Sequence, residues 1–175
     1  MCARTRLHGP RAERWIGTYS RLGEHGACWL LLGGTGALLD RQPARRARWL
    51  RGVRIVAAAY GCNYAVKVAV QRRRPELAGL PPLTKTVSRL TFPSAHATTS
   101  FAAARAFAHL VPPAAVYLPA FAFAASRPYL GVHYPSDVVA GALLGSAIAA
   151  AWPAPSVEPT AGEPAALGLA AEPAQ

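Results

Sequence analysis

Apolar segments alternate with short polar connections along most of the chain, and this alternation constrains the fold more than any other feature of the sequence. Five such segments cover approximately residues 26–39, 52–70, 94–111, 114–125 and 136–152. Charged residues make up only 15% of the chain, which is fewer than soluble domains usually carry. The pattern predicts an all-α integral-membrane bundle of about five transmembrane helices, in which the first segment is short for a full crossing.

The two ends of the chain differ from this central part. Residues 1–24 are basic, and apolar residues recur at helical spacing from Trp15 to Leu22. This spacing predicts a helix lying in the membrane interface, preceded either by more helix or by a disordered basic arm. Residues 153–175 are rich in Pro, Ala and Glu, a composition typical of a disordered tail. The segment between them, 25–152, is the predicted membrane domain.

The formal net charge of +11 raises the possibility of a nucleic-acid partner, and the distribution of charge argues against it. The basic residues cluster in Arg4–Arg21, Arg41–Arg54 and Arg72–Arg89, and the stretches between these clusters are apolar. Cations that flank apolar segments are typical of contact with anionic lipid headgroups. The sequence therefore predicts a multi-pass protein of the cell membrane, with the bilayer as a partner and no nucleic acid bound.

Three short strings at the ends of apolar segments carry the candidate chemistry. They are KVAVQRRRP at 67–75, PSAH at 93–96 and SRPYLGVHYPSD at 126–137. The first ends the second segment, the second begins the third, and the third joins the fourth to the fifth. With five crossings, all three strings fall on the same membrane face. This predicts one shared site.

The first two strings supply cations, a helix start and a histidine. Lys67 and Arg74 are about two helical turns apart, so they are able to share a face and bind phosphate oxygens. The alternative is a snorkelling lysine followed by a basic juxtamembrane run. Ser94 is a favourable N-cap, and free N–H groups at that helix start attract anions. His96 then projects from the first turn as a general acid, or is simply a surface histidine on a capped helix.

The third string contains Arg127, His133 and Asp137. Pro135 suits the first turn of a helix, so His133 precedes the helix and Asp137 lies in its first turn. Asp137 is then able to accept a hydrogen bond from the imidazole and orient it as a nucleophile for phosphorus. The alternative is that Asp137 only caps the helix.

Taken together, K-x6-RP, PSxH and SR-x5-H-x3-D resemble the three motifs of the type 2 phosphatidic acid phosphatase (PAP2) superfamily. The resemblance spans Lys67 to Asp137, and the surrounding helices extend it to residues 25–152. One departure is Ala95, where the family usually has glycine; its backbone N–H is retained. The resemblance implies a phosphatase with no cofactor and no metal. The implied roles are phosphate binding by Lys67, Arg74, Ser94, Ala95 and Arg127, nucleophilic attack by His133 through a phosphohistidine, support by Asp137, and protonation of the leaving group by His96.

The same resemblance implies a class of substrate, a phosphate attached to a lipid. The string RLTFPSAHATTSFAAA looks most like actinobacterial phosphatases of polyprenyl-linked sugars. This implies decaprenylphosphoryl-5-phosphoribose, a precursor of cell-wall arabinan, as the expected substrate. The alternatives are undecaprenyl diphosphate, phosphatidate or phosphatidylglycerol phosphate, and, from another class, a non-catalytic membrane scaffold. Further residues that could touch the substrate or simply pack are Asn63, Tyr64, Arg105, His109 and Tyr129.

Overall fold

The computed structural model describes residues 9–76, 82–84, 86 and 88–153, and within them the chain is helical. The helices are α1 (Pro10–Leu22), α2 (Ala27–Leu39), α3 (Pro43–Val70), α4 (Ala95–Phe107), α5 (Pro113–Tyr129) and α6 (Pro135–Ala151), with a 3-10 turn at Glu24–Gly26. The described residues contain no β-strand beyond an isolated bridge between Arg73 and Leu90. The predicted all-α fold class is confirmed.

Two predicted boundaries are wrong. The sequence pattern predicts that the second apolar segment begins near residue 52, but the structure extends α3 back to Pro43, so the arginines that precede the apolar segment belong to the first turns of this helix. Proline at the first helical position is favourable because its missing N–H needs no partner there, and arginine is a good helix former. At the other boundary, α5 continues to Tyr129. Arg127 therefore projects from the last turn of a helix, not from a loop.

Helix α3 is the one helix among the described residues that is long and apolar enough to cross a membrane, judged by length and composition. Helix α6 is apolar but has 17 residues. The bundle is thus all-helical, and five crossings remain a prediction. The domain boundaries also remain predictions. Residues 1–8 of the basic arm and 154–175 of the tail lie outside the described residues.

Helix α4 is the centre of the bundle and packs against α3, α5 and α6. It is rich in small side chains, and glycines of α6 lie directly against its backbone. A Cβ atom on Gly141 would stand 2.6 Å from the Ser94 carbonyl oxygen, and one on Gly145 would collide with the Thr98 carbonyl. This is the close packing that the Gly-x3-Gly spacing predicts. Because α4 and α6 pack together, their N-termini are neighbours. His96 lies in the first turn of α4, and His133 lies just before α6, so the two histidines are brought to the same end of the bundle.

Helix α1 lies against the C-terminal half of α5. The Tyr19 and Phe123 rings stack at 4.4 Å, and the Tyr19 hydroxyl donates to the Pro119 carbonyl oxygen at 3.0 Å. On its other side, Trp15 is 76% exposed. The predicted helix is therefore present, and its location in the membrane interface remains a prediction. Ser20, in the last turn of α1, is buried.

Candidate active site

The three strings meet at one end of the bundle, around a cavity of about 120 Å³. Each of its motif residues comes from a helix end or from the connection beside one. The predicted residues that line the cavity are Lys67, Arg74, Ala95, His96, Arg127 and His133. Two further predicted residues, Ser94 and Asp137, are completely buried beside these groups.

His133 is held from behind by a hydroxyl and a carboxylate. Its Nδ1 lies 2.9 Å from the Thr91 hydroxyl oxygen, and that hydroxyl donates to Asp137 Oδ2 at 2.6 Å. The direct distance from His133 Nδ1 to Asp137 Oδ2 is longer, 3.5 Å. Since the single hydroxyl proton goes to the carboxylate, the Thr91 oxygen accepts from Nδ1–H. This tautomer leaves Nε2 unprotonated, and Arg74 Nη1 faces its lone pair as a donor at 3.5 Å.

Asp137 combines the two roles that the sequence offered as alternatives. Its Oδ2 accepts the backbone N–H of Tyr134 at 2.8 Å, so it caps α6 while it supports His133. Its Oδ1 accepts from Arg72 Nη1 at 3.0 Å. The Arg72 guanidinium also lies 4.1 Å above the centre of the Tyr134 ring. The carboxylate that supports His133 is therefore itself fixed by a charge pair and a backbone N–H.

Burial keeps the His133 ring neutral. Desolvation lowers the pKa of His133 from 6.5 to about 4, and the cations of Arg127, Arg74 and Lys67 act in the same direction, while the bond to Asp137 opposes them. An uncharged imidazole has a lone pair for attack, and here that lone pair is on Nε2. The site therefore holds its candidate nucleophile in the reactive protonation state at neutral pH.

On the opposite side of the cavity, His96 and Arg127 are held by Ser20 of α1. His96 Nε2 lies 2.8 Å from the Ser20 carbonyl oxygen, and since a carbonyl only accepts, Nε2 carries the proton. Arg127 Nη1 donates to the Ser20 hydroxyl at 2.6 Å. In this arrangement Nδ1 is the His96 nitrogen left to serve a leaving oxygen.

Two buried side-chain donors at this site have no hydrogen-bond partner among the described residues, Ser94 Oγ and Arg127 Nε. Ser94 occupies the N-cap position of α4, and the predicted side-chain cap bond is not formed. The first backbone N–H groups of a helix also lack partners within it. Unsatisfied buried donors are costly unless an acceptor reaches them. Together with the Lys67 ammonium, they form a donor set suited to a tetrahedral oxyanion.

Arg74 is fixed by backbone carbonyls. Its Nε donates to the Ser88 oxygen at 2.9 Å and its Nη1 to the Val132 oxygen at 2.6 Å. Burial lowers the pKa of Arg74, and an arginine so perturbed is still charged at neutral pH. Because Val132 directly precedes His133, this hydrogen bond fixes the Arg74 guanidinium next to the candidate nucleophile.

Some predicted contacts are not made at this site. Arg105 and His109 are exposed on and just after α4, and neither is among the residues that line the cavity. Asn63 lines it and also donates to the Pro93 carbonyl at 3.2 Å. Residues that sequence reasoning overlooked are Ser20, Glu24, His25, Tyr60, Arg72 and Thr91.

The site combines a histidine oriented by a carboxylate with three cations and a second histidine, and this set of groups is suited to phosphoryl transfer. The family comparison agrees, since residues 49–156 match the PAP2 superfamily. The chain belongs to the PAP2 superfamily and is a phosphatase. This excludes the alternative of a non-catalytic scaffold.

Individual relatives carry the comparison further. The chain is 44% identical over 124 residues to the decaprenylphosphoryl-5-phosphoribose phosphatase of Mycolicibacterium smegmatis, covering 70% of this chain and 67% of that protein. It is 39% identical over 133 residues to the protein of the same name from Mycobacterium tuberculosis, covering 75% and 73%. The crystal structure of a PAP2-type phosphatidylglycerolphosphate phosphatase from Bacillus subtilis has the same fold, with a TM-score of 0.64, 22% identity, and coverage of 83% and 77%. The predicted resemblance is confirmed.

Proposed function

We propose that this phosphatase hydrolyses the phosphomonoester of a polyprenyl-linked sugar phosphate, with decaprenylphosphoryl-5-phosphoribose as the substrate. The observation that carries the proposal is the convergence of Lys67, Arg74 and Arg127 with two histidines around one small cavity. The names of the two mycobacterial relatives support the choice of lipid. The enzyme is a multi-pass protein of about five crossings, with its site at a membrane face where a lipid-anchored phosphate is within reach.

In the proposed reaction His133 Nε2 attacks phosphorus, and the bond from phosphorus to the sugar oxygen breaks. His96, protonated on both ring nitrogens when the substrate is bound, gives its Nδ1 proton to the departing alkoxide and keeps the Nε2 proton that bonds Ser20. A phosphohistidine remains on the enzyme. Water then gives a proton to His96 Nδ1 and attacks this phosphorus, His133 departs as a neutral ring, and inorganic phosphate leaves. Asp137 stabilises the positive charge that the His133 ring carries during attack, through Thr91 and directly.

The cations stabilise charge that develops on the three equatorial oxygens. Lys67, Arg74 and Arg127 supply this stabilisation together with the Ser94 hydroxyl and the N–H groups that begin α4. Ala95 in place of glycine leaves its N–H available for the same purpose. In the proposed reaction these cations and N–H groups supply the charge stabilisation that a metal ion supplies in other phosphoryl-transfer sites.

The test is a phosphate-release assay on the full-length protein in detergent. Short-chain prenylphosphoryl-5-phosphoribose, undecaprenyl diphosphate, phosphatidate and phosphatidylglycerol phosphate are offered separately, each with EDTA. We expect the phosphoribose lipid to give the highest kcat/KM. We also expect His133→Asn to lower kcat by at least about 10⁴-fold, because no nucleophile remains. Preference for another lipid would overturn the substrate, and full activity of the variant would overturn the mechanism.

A further inference from the structure

The mouth of the cavity carries polar and aromatic groups for which the proposed phosphate chemistry has no use. They are Glu24, His25, Tyr60 and Tyr64. The first two belong to the 3-10 turn between α1 and α2, and the tyrosines project from α3. This end of the cavity therefore differs in chemistry from the cationic end. It is built from different elements as well.

The two tyrosines form a row that leads to the phosphate end. Tyr60, Tyr64 and Lys67 have the spacing i, i+4, i+7, which places them on one face of α3. Along the axis, Tyr64 is about 4.5 Å and Tyr60 about 10 Å from Lys67. A tyrosine ring presents an apolar face and a polar tip, and Tyr64 is 61% exposed. A group attached to a phosphate held at Lys67 would lie along this row.

Glu24 is the one carboxylate among the described residues that line the cavity, and three of the others are cations, Lys67, Arg74 and Arg127. It interacts electrostatically with Arg127, and it is only half-buried. Next to a phosphate dianion, a carboxylate raises the cost of anion binding, so its position calls for a different partner. A carboxylate has two oxygens that accept hydrogen bonds, and hydroxyl groups are donors that fit it.

His25 lies next to Glu24 in the same turn and has a costly backbone conformation. Its φ is +54°, in the left-handed region that residues other than glycine rarely adopt. Its Nδ1 lies 2.7 Å from the Tyr60 hydroxyl, which joins the turn to α3. Such conformations persist where the surrounding structure enforces them, and they recur where ligands are held.

We propose that Glu24, His25, Tyr60 and Tyr64 form a subsite for the hydroxyl-bearing sugar ring that carries the scissile phosphate. Glu24 accepts from adjacent sugar hydroxyls, the tyrosine rings cover the ring's apolar face, and the His25–Tyr60 pair fixes the width of the mouth. The subsite rests on the proposed function, because it assigns these residues to the ribose of that substrate. It explains how a phosphatase could distinguish a sugar phosphate from a glycerophospholipid.

The test compares kcat/KM for short-chain prenylphosphoryl-5-phosphoribose with that for its 2-deoxy analogue. We expect the wild-type protein to prefer the ribose compound, because a site built to bind a hydroxyl discriminates against a substrate that lacks it. We expect Glu24→Gln to reduce this preference by about tenfold, and Tyr60→Phe to reduce it by less. Matched controls are Glu76→Gln, which makes the same charge change at an exposed position, and Tyr117→Phe on α5. Both controls should leave the ratio within about twofold.

Inorganic phosphate is a second probe that separates the subsite from a folding role. Because Glu24→Gln removes a negative charge from the cavity, we expect phosphate to inhibit this variant at least as strongly as the wild-type protein. An unchanged preference ratio, or weaker phosphate inhibition, would overturn the subsite alone. Wild-type protein that hydrolyses phosphatidate but not the phosphoribose lipid would overturn the proposed function and the subsite with it.

Discussion

The nucleophile side and the leaving-group side of the cavity are held in different ways. His133 is fixed by Thr91, Asp137 and Arg72, all from the region that matches the family, in a closed network of short hydrogen bonds. His96, by contrast, bonds to Ser20 of α1, and α1 lies outside the matched residues 49–156. The attacking group is therefore held by residues within the matched region, while the proton donor is held by a helix outside it.

The first way to sharpen this comparison is to remove the proton donor. His96→Gln should lower kcat for a sugar-phosphate substrate by about 10²- to 10³-fold, the usual contribution of a general acid. The loss should be much smaller with p-nitrophenyl phosphate, whose leaving oxygen needs no proton. Rates on the two substrates, measured in parallel, check this expectation.

The control for His96→Gln is His109→Gln, which alters an exposed histidine just beyond the C-terminal end of α4. This control should leave both rates near those of the wild-type protein. Equal losses on both substrates in His96→Gln would show that His96 is not the proton donor. His96 would then support the attack by His133 and would not serve the leaving group.

The nucleophile side depends on Thr91, and Thr91→Val tests that dependence. Valine leaves His133 Nδ1–H and Asp137 Oδ2 without the hydroxyl between them, a loss of about 1.5–3 kcal/mol for a hydrogen bond to a charged group. We expect kcat to fall about tenfold to hundredfold. Thr91→Ser retains the hydroxyl and should recover most of the rate. Similar losses in both variants would mean that only the packing of the threonine methyl group matters.

The contrast between the two sides also explains what the sequence could predict. Lys67, Arg74, His96, Arg127 and His133 could be placed together because each lies at the end of an apolar segment, and the parity of crossings puts those ends on one face. The spacing of Gly141 and Gly145 also predicts close helix packing, although it does not indicate that α4 is the partner. These predictions were possible because apolar segments and polar connections alternate regularly along the chain.

The parts that escaped prediction depend on contacts between distant residues. Thr91 lies in an irregular connection, 46 residues from the carboxylate it bonds. Ser20 is 76 residues from His96, and no periodicity indicates that its carbonyl turns inward. Arg72 belongs to the run RRR, where three identical side chains give no sign of which one pairs with Asp137. Helix lengths also escaped prediction, because Pro43 extended α3 beyond the apolar segment.

Protonation is the next point at which the nucleophile side can be tested. With the pKa of His133 lowered by burial to about 4, the ring stays neutral down to about pH 5 and loses its lone pair only as the pH falls through 4. An imidazole of ordinary pKa would be about one-tenth neutral at pH 5.5, so the expected difference in reactive fraction there is about tenfold. Nitrogen NMR of the histidine-labelled protein in detergent measures this directly. The His133 signal is identified by its disappearance in His133→Asn, and a titration midpoint near 6.5 would contradict the expectation.

The smallest expected effect is on the leaving-group side, where Ser20→Ala removes the hydroxyl that accepts from Arg127 and keeps the carbonyl that accepts from His96. Because Arg127 loses one fixed partner, we expect KM to rise about twofold to tenfold, equivalent to the net value of one hydrogen bond, with little change in kcat. Thr18→Ala, an exposed position on the same helix, should leave both constants unchanged. A fall in kcat confined to substrates that need a proton would show that the Ser20 hydroxyl acts through His96 instead. Equal behaviour of both variants and the wild-type protein would remove the side chain of Ser20 from the site, and α1 would then hold the proton donor through its backbone alone.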